Sequence, residues 1–495
     1  MDTVLKPIDA LLNRFTMYRV LVYSLGGFLV VSLVLALFDV IGVSPLGLLV
    51  SAVALMASCY VANYGLSRLL RVPVNSESWL ISALILCCIM PPATTFERAA
   101  LLAMTGALAM TAKFVLVYRG NHLFNPAAIA AVVMSLTGLL PASWWIATPP
   151  LAICTALLAA VIVRKTRLMS MFFCFVGVSL GLMIVLGLIQ GQSIAASVRN
   201  LLLSWPLFFL GGVMLTEPGT LPPIRRYRLL FAAIVGSIFV SQLHAGIVSS
   251  TPQLALVLGN LFGALAAPAR GWMLRLISIK RLSPSYFELS FAPPDNQQLV
   301  FEPGQYMEWT LPHPHADSRG NRRTFSIASA PSDDVVRIAT KQVESGSSFK
   351  RAFLGLQPGQ RVRAAHIAGN FTLPRDTTQP LVFIAGGIGI TPFHSMIAQL
   401  IAQSEQRDIT LLYLASNPKD FVYKDTFAAA EAWGVSVQYI TGSATAEQLQ
   451  AVAPRLAEST VYLSGPDAMV QSYRHLLRRL GVSATHIVTD HFTGY

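Results

Sequence analysis

Two patterns of apolar positions divide the chain. Up to about residue 270, apolar residues come in long runs separated by short polar punctuation. The runs lie at roughly 20–38, 46–63, 78–90, 99–117, 126–140, 144–163, 168–189, 200–215, 228–243 and 253–267. Several of these approach the roughly 20 residues that a helix needs to cross a bilayer. Those at 78–90 and 126–140 are short and predict broken or re-entrant helices. The first run is long and no small-residue cleavage site follows it, which argues against a cleaved signal peptide. From about Trp272 the pattern shifts to short alternating runs punctuated by Gly and Pro. Leu289–Phe291, Gly304–Trp309 and Val335–Ala339 predict strands of a small antiparallel β-barrel. After Pro380, strand–turn–helix units repeat, the pattern of an open parallel sheet. The expected architecture is a polytopic α-helical membrane bundle of about ten helices over 1–270, a barrel over 271–377 and an α/β nucleotide domain over 378–495.

Composition supports the division. Of 495 residues, 54% are hydrophobic and only 12% charged, half the share of an ordinary soluble domain; the mean hydropathy is +0.57. The formal charge of +12 invites a nucleic-acid partner, but its distribution does not. Residues 1–270 hold 16 Lys/Arg against 6 Asp/Glu, and residues 271–495 hold 20 against 18. The basic excess belongs to the apolar half. All 5 cysteines lie there too, with no metal-ligand spacing, so no metal site is expected.

Those basic residues alternate between loops. One set of loops carries Lys6, Arg14 and Arg19, then Arg68 and Arg71, Arg119, Arg164, Lys165 and Arg167, Arg225, Arg226 and Arg228, and Arg270. The opposite set carries only Arg98 and Arg199. By the positive-inside rule both termini face the cytoplasm, which in a bacterium makes this a multi-pass protein of the inner membrane. Polar residues inside the apolar runs are costly unless paired or facing a cavity. Lys113, Asn125-Pro126, Thr216-Glu217-Pro218 and Gly259-Asn260 are of this kind, and each equally fits a loop cap or helix break.

The segments Phe124-Asn125-Pro126-Ala127-Ala128, Thr216-Glu217-Pro218 and Leu258-Gly259-Asn260-Leu261-Phe262 occur in the order seen in one membrane flavoprotein family. In them the first half resembles the B subunit of sodium-pumping NADH:quinone reductase and the D subunit of Rnf complexes. The resemblance implies a flavin in the bundle, near Asn125, Thr216, Glu217 and Asn260. It also implies FMN esterified to a threonine in a Ser-x-Ala-Thr context. Here Ala147-Thr148 matches while Trp145 replaces the serine, so covalent FMN on Thr148 and a non-covalent flavin both stay open.

Two loops of the second half carry chemistry. Leu381–Ala385 reads as a buried strand followed by Gly386-Gly387-Ile388-Gly389-Ile390-Thr391-Pro392 and then a helix. Glycines there let backbone N–H groups approach a phosphate, although a tight turn would use them as well. In Arg323-Thr324-Phe325-Ser326 a guanidinium, an aromatic ring and a hydroxyl suit a pyrophosphate, a flavin ring and a ring nitrogen. Alone, the tetrapeptide equally fits a strand end.

Together these loops resemble the ferredoxin–NADP reductase superfamily over residues 275–495. The resemblance implies FAD bound by Arg323, Thr324, Phe325, Ser326, Gly346, Ser347, Ser348 and the terminal Tyr495. It implies NAD(P)H bound by Gly386, Gly387, Gly389, Thr391, Pro392, Ser416, Lys419, Gly465, Pro466 and Met469. Ser326 and Ser464 would be catalytic, with Ser464 standing where the family has cysteine. Ser416, Asn417, Lys419 and Lys424 follow the second nucleotide-domain strand with no carboxylate at its end, a slight lean to NADPH that leaves the coenzyme as NAD(P)H.

The function this predicts is electron transfer by a membrane flavoprotein. Cytoplasmic NAD(P)H would reduce FAD, with Ser326 at flavin N5. Electrons would then pass to a membrane flavin and on to quinone or an extracytoplasmic redox partner. Membrane lipid is an expected partner and nucleic acid is not. The alternatives are a redox-driven ion pump component and a haem-type transmembrane ferric reductase. The latter needs paired axial ligands, and the first half offers only His122 and His244.

Overall fold

The computed structural model describes residues 12, 15–70, 77–118, 121–222, 224–245, 248–266, 271–294, 299–314, 317, 321–342 and 347–490. Gly346 and Tyr495, both expected at a flavin, lie outside these residues, as do Lys6, Arg14, Arg71, Arg119 and Arg270. The chain divides into two compact units that part near residue 268.

The first unit is helical. Its elements are α1 (Met17–Leu37), α2 (Pro45–Leu70), α3 (Ser78–Ile89), α4 (Phe96–Val115), α5 (Pro126–Leu136), α6 (Pro149–Thr166), α7 (Met169–Ile189), α8 (Ile194–Ser204), α9 (Leu207–Met214), α10 (Arg225–Val240) and α11 (Pro252–Ala266). Sequence punctuation sets their starts. Thr16, Thr95, Asn125 and Ser193 cap with side-chain oxygens, and proline opens α2, α5, α6 and α11, where its missing N–H costs nothing.

Among the described residues, five helices, α1, α2, α4, α6 and α7, are long and apolar enough to cross a membrane, or six if α8 and α9 form one span bent by 61°. That is fewer than the ten runs: proline opens α5 and α11 and follows α3 at Pro91-Pro92, and α10 holds only 16 residues, so these helices are shorter than a bilayer crossing needs. The run at 200–215 breaks at Trp205-Pro206, and its last turn, Leu210–Met214, winds as a π-helix. The run at 144–163 begins its helix only at Pro149. Gly259-Asn260, expected as an interruption, lies inside an unbroken α11. A Cβ on Gly259 would fall 2.3 Å from Val235 Cγ2, so this glycine serves close approach of α10 and α11.

The second unit holds two sheets. The first, antiparallel, comprises β1 (Trp272–Arg281), β2 (Tyr286–Ala292), β3 (Tyr306–Thr310), β4 (Arg322–Ser326), β5 (Val336–Lys341) and β6 (Arg361–Ala368), in the order β4-β3-β6-β1-β2-β5. It curls until its edges meet: just past β4, Ala328 N–H donates to Arg337 O of β5 at 2.7 Å. Trp309, Phe291, Phe349 and Phe353 fill its interior with no solvent exposure, the last two from α12 (Ser348–Leu354). The second sheet is parallel, with order β9-β8-β7-β10-β11 for β7 (Leu381–Gly386), β8 (Ile409–Ala415), β9 (Val435–Thr441), β10 (Thr460–Ser464) and β11 (Ile487–Thr489). The chain runs outward from β7 to β9 and then returns to β10 beside β7. The carboxyl ends of β7 and β10 therefore flank a topological switch point, where open α/β sheets bind ligands.

Candidate active site

The two glycine-bearing turns meet at that switch point. β7 ends at Gly386, a 3-10 turn covers Gly387–Ile390, and α13 (Thr391–Gln403) begins at Thr391-Pro392. Opposite, β10 ends at Ser464 and α14 (Asp467–Arg479) begins after Gly465-Pro466. A Cβ on Gly389 would lie 2.6 Å from Gly465 N, and one on Gly386 would lie 2.2 Å from Met469 Sδ. The glycines thus let the two turns pack against each other. No side chain caps α13 or α14; in α13 the Thr391 N–H already donates to Ile388 O and Pro392 has none, so it is the start of α14 whose N–H groups suit an anionic ligand. Ser416 and Lys419 follow β8, the neighbour of β7 on its other side, and are exposed. The first carboxylate beyond that strand, Asp420, is buried and accepts from Ser283 Oγ at 2.6 Å.

The flavin motif lies on β4, an edge strand ending at Ser326. Ser326 Oγ–H donates to Asp490 Oδ2 at 3.3 Å, and Ser464 Oγ–H donates to the same oxygen at 3.1 Å. The residue expected at the flavin and the residue expected at the nicotinamide therefore share one carboxylate. Asp490 was not foreseen, since it stands beyond β11 in a stretch without a motif and reaches the site through its N–H bond to Leu463 O.

Arg323 is buried, its guanidinium 5.4 Å from the Phe349 ring centre. Its Nη2 meets Asp317 Oδ1 at 2.9 Å, and Asp317 Oδ2 accepts from Ser348 N–H at 3.0 Å. Asp317 is the second residue that motif reading missed. A carboxylate bridging a guanidinium and a backbone N–H stands in for an anion, so these groups fit a phosphate of FAD. Ser348 Oγ accepts from Asp317 N–H and bonds His313 Nε2 at 2.9 Å. Ser347 caps α12, accepting from Lys350 N–H. Phe325 is half-buried and stacks on Phe353 with ring planes 3° apart. Thr324 is half-buried on the same strand.

In the first unit, Asn125, Thr216 and Glu217 line a pocket together with Ser78, Lys165 and Thr166. Asn260 Oδ1 accepts the Asn125 backbone N–H at 2.9 Å, while Asn125 Oδ1 caps α5 through Ala128 N–H. Glu217 Oε2 and Asn260 Nδ2 are buried without a hydrogen-bond partner. Lys113 Nζ, behind Ser78, donates to Ser78 Oγ at 2.6 Å and Asn63 Oδ1 at 3.1 Å. A polar floor under apolar walls, with orphaned polar atoms, fits a ring bearing carbonyl and N–H groups. Thr148 is not part of it. It precedes α6, whose far end supplies Lys165 and Thr166, about 25 Å away along the helix.

The two sheets, the switch-point turns and the Ser326–Asp490–Ser464 contact define a two-domain flavin reductase module. The Oxidoreductase NAD-binding domain family matches residues 383–475. Ferredoxin–NADP reductase B of Sorangium cellulosum is 30% identical over 239 residues, covering 44% of this chain and 96% of that protein. Through this second unit the chain belongs to the ferredoxin–NADP reductase family, and it is an NAD(P)H-dependent flavin oxidoreductase. The stachydrine N-demethylase reductase subunit Stc4 of Rhizobium meliloti is 26% identical over 43% of this chain and 64% of its own length. The crystal structure of Amycolatopsis cytochrome P450 reductase GcoB aligns over 45% of this chain and 70% of its own, with a TM-score of 0.41 and 24% identity.

Proposed function

We propose that this protein is a multi-pass membrane flavoprotein that carries electrons from cytoplasmic NAD(P)H through FAD to a flavin in the first unit. From there they would pass to quinone or an extracytoplasmic redox partner. The observation that carries the reductase reading is the shared carboxylate: Ser326 from the barrel and Ser464 from the parallel sheet both close on Asp490. FAD would lie along β4 with its phosphates at Arg323 and Ser347-Ser348, and its ring beside Phe325. The coenzyme would lie across Gly386–Pro392 and Gly465–Met469, with its ribose end toward Ser416 and Lys419. Bound FAD supplies the exchange between a two-electron donor and one-electron acceptors. Asp490 holds the hydroxyl protons of Ser326 and Ser464, so each hydroxyl presents lone pairs toward the reacting rings. Asp490 is thereby a positioning residue.

The membrane placement is supported by the long apolar helices and by the loop arginines; the six spans counted among the described residues when α8 and α9 form one bent span are the even number that two cytoplasmic ends require. The pocket at Asn125, Thr216 and Glu217 is the proposed non-covalent flavin site, with Asn260 holding Asn125 in place. Thr148, remote from it, would carry any covalent FMN. Stopped-flow reduction of purified protein by NADH and NADPH tests the reductase reading. Ser326→Ala and Asp490→Asn should each slow flavin reduction about 10–100-fold with FAD content retained; unchanged rates in both would defeat the assignment. Flavin that stays on the denatured polypeptide and vanishes in Thr148→Ala would mark the covalent site, and release of all flavin would remove it.

A further inference from the structure

The face of the antiparallel sheet that turns away from its core carries an arrangement the reductase chemistry does not use. β1 and β6 pair with Arg275 opposite Arg361 and Met273 opposite Arg363. The intervening pair, Leu274 and Val362, is buried, so strand alternation sends the three arginines and Met273 to the outer face. Arg275 and Arg361 are exposed, Met273 is 48% exposed, and Ile277, at the bulge that follows in β1, is 41% exposed. Like charges directly opposite across a strand pair repel. Among the described residues no carboxylate pairs with Arg275 or Arg361, and the acid on the neighbouring strand, Glu308, meets Arg322 at 3.3 Å.

We propose that this face rests on anionic lipid headgroups. The inference builds on the reading of the first unit as membrane-embedded. Phosphate-bearing headgroups relieve the arginine repulsion, and Met273 and Ile277 suit the boundary between headgroups and acyl chains. Continuity of the chain favours lipid over a free partner. Only residues 267–271 separate the end of α11 from β1, a stretch that spans at most about 22 Å. The start of β1 is therefore tethered within that distance of the end of α11, an apolar helix of the unit proposed to be membrane-embedded.

The test uses the full-length protein in nanodiscs of phosphatidylcholine, with or without phosphatidylglycerol, and mass-spectrometric rates of arginine modification by phenylglyoxal. Stable, salt-resistant incorporation of the protein into the discs checks the membrane reading separately. Arg275 and Arg361 should react at least about fivefold more slowly in the anionic discs, about 1 kcal/mol per site near a charged surface. High salt should abolish the difference, and Arg479 on α14 should react alike in both discs. In the Arg275→Gln/Arg361→Gln variant the lipid-dependent protection of Arg363 should disappear. Equal reactivity in the two discs, with the protein incorporated, overturns the proposal. So does protection that is present already in detergent, or that arises only when an acidic redox protein is added, since either assigns the face to protein.

Discussion

Asp490 accepts a hydrogen bond from each of two serines that lie 138 positions apart in the chain, and it belongs to no motif. Its role as a positioning residue predicts that Asp490→Asn slows reduction through both serines together. The Ser326→Ala/Asp490→Asn double variant should then lose little more than either single one, because groups acting as a unit are not additive. Asp317 makes a second prediction. Its carboxylate occupies Arg323 and Ser348 N–H, the groups proposed for the flavin phosphates, so FAD must displace it. Removing that internal anion with Asp317→Asn should tighten FAD binding about tenfold, roughly 1.4 kcal/mol, while Arg323→Ala should weaken it by more than that. Titration of apoprotein with FAD, followed by fluorescence quenching, reads both; weaker binding by Asp317→Asn would mean the carboxylate organises the loop instead.

Among elements, close approach decides more than conformational freedom. Gly389 is the point where the turn after β7 meets the turn after β10, and Gly259 is the point where α11 meets α10. Alanine at either site drives a Cβ into backbone or a packed valine, which should cost about 1–3 kcal/mol. The consequences differ. Gly389→Ala should also raise the KM for NAD(P)H, because the two uncapped helix starts are pushed apart. Gly259→Ala should leave that KM unchanged and lower the thermal midpoint of the first unit. The broken helix α8–α9 and its π-helical turn deliver Thr216 and Glu217 to the same pocket as the start of α5, an arrangement that a straight span would not produce.

For the whole molecule, the two units make separable predictions. The second unit has its own cores, so residues 271–495 expressed alone should fold, bind FAD and reduce ferricyanide with NAD(P)H. Its halves are tied by His394 of α13, whose Nδ1–H donates to Ala328 O beside the barrel at 2.7 Å and whose ring stacks on Tyr423. Burial pushes this imidazole down to about 4. Unfolded, it titrates at the ordinary value, about 6.5. Stability should therefore be complete above pH 6.5 and fall by up to about 3 kcal/mol as pH drops to 4. Thermal melts of the isolated unit across that range measure it, and His394→Gln should flatten the slope. Much of this was legible in the pattern of residues alone: a long-run apolar half, a barrel, a parallel sheet and the glycine turn after Leu381–Ala385, whereas Arg323–Ser326, read as a loop, is a strand. Those features follow from local periodicity and turn chemistry, which act over a few residues. The tertiary structure decided what spacing cannot express. It cut ten apolar runs to five long helices, made Gly259 a packing residue, gathered Asn125, Thr216 and Glu217 in one pocket without Thr148, and closed two distant serines on Asp490. Each depends on contacts between segments remote in sequence, where packing volume and the need to satisfy buried polar groups outweigh local preference.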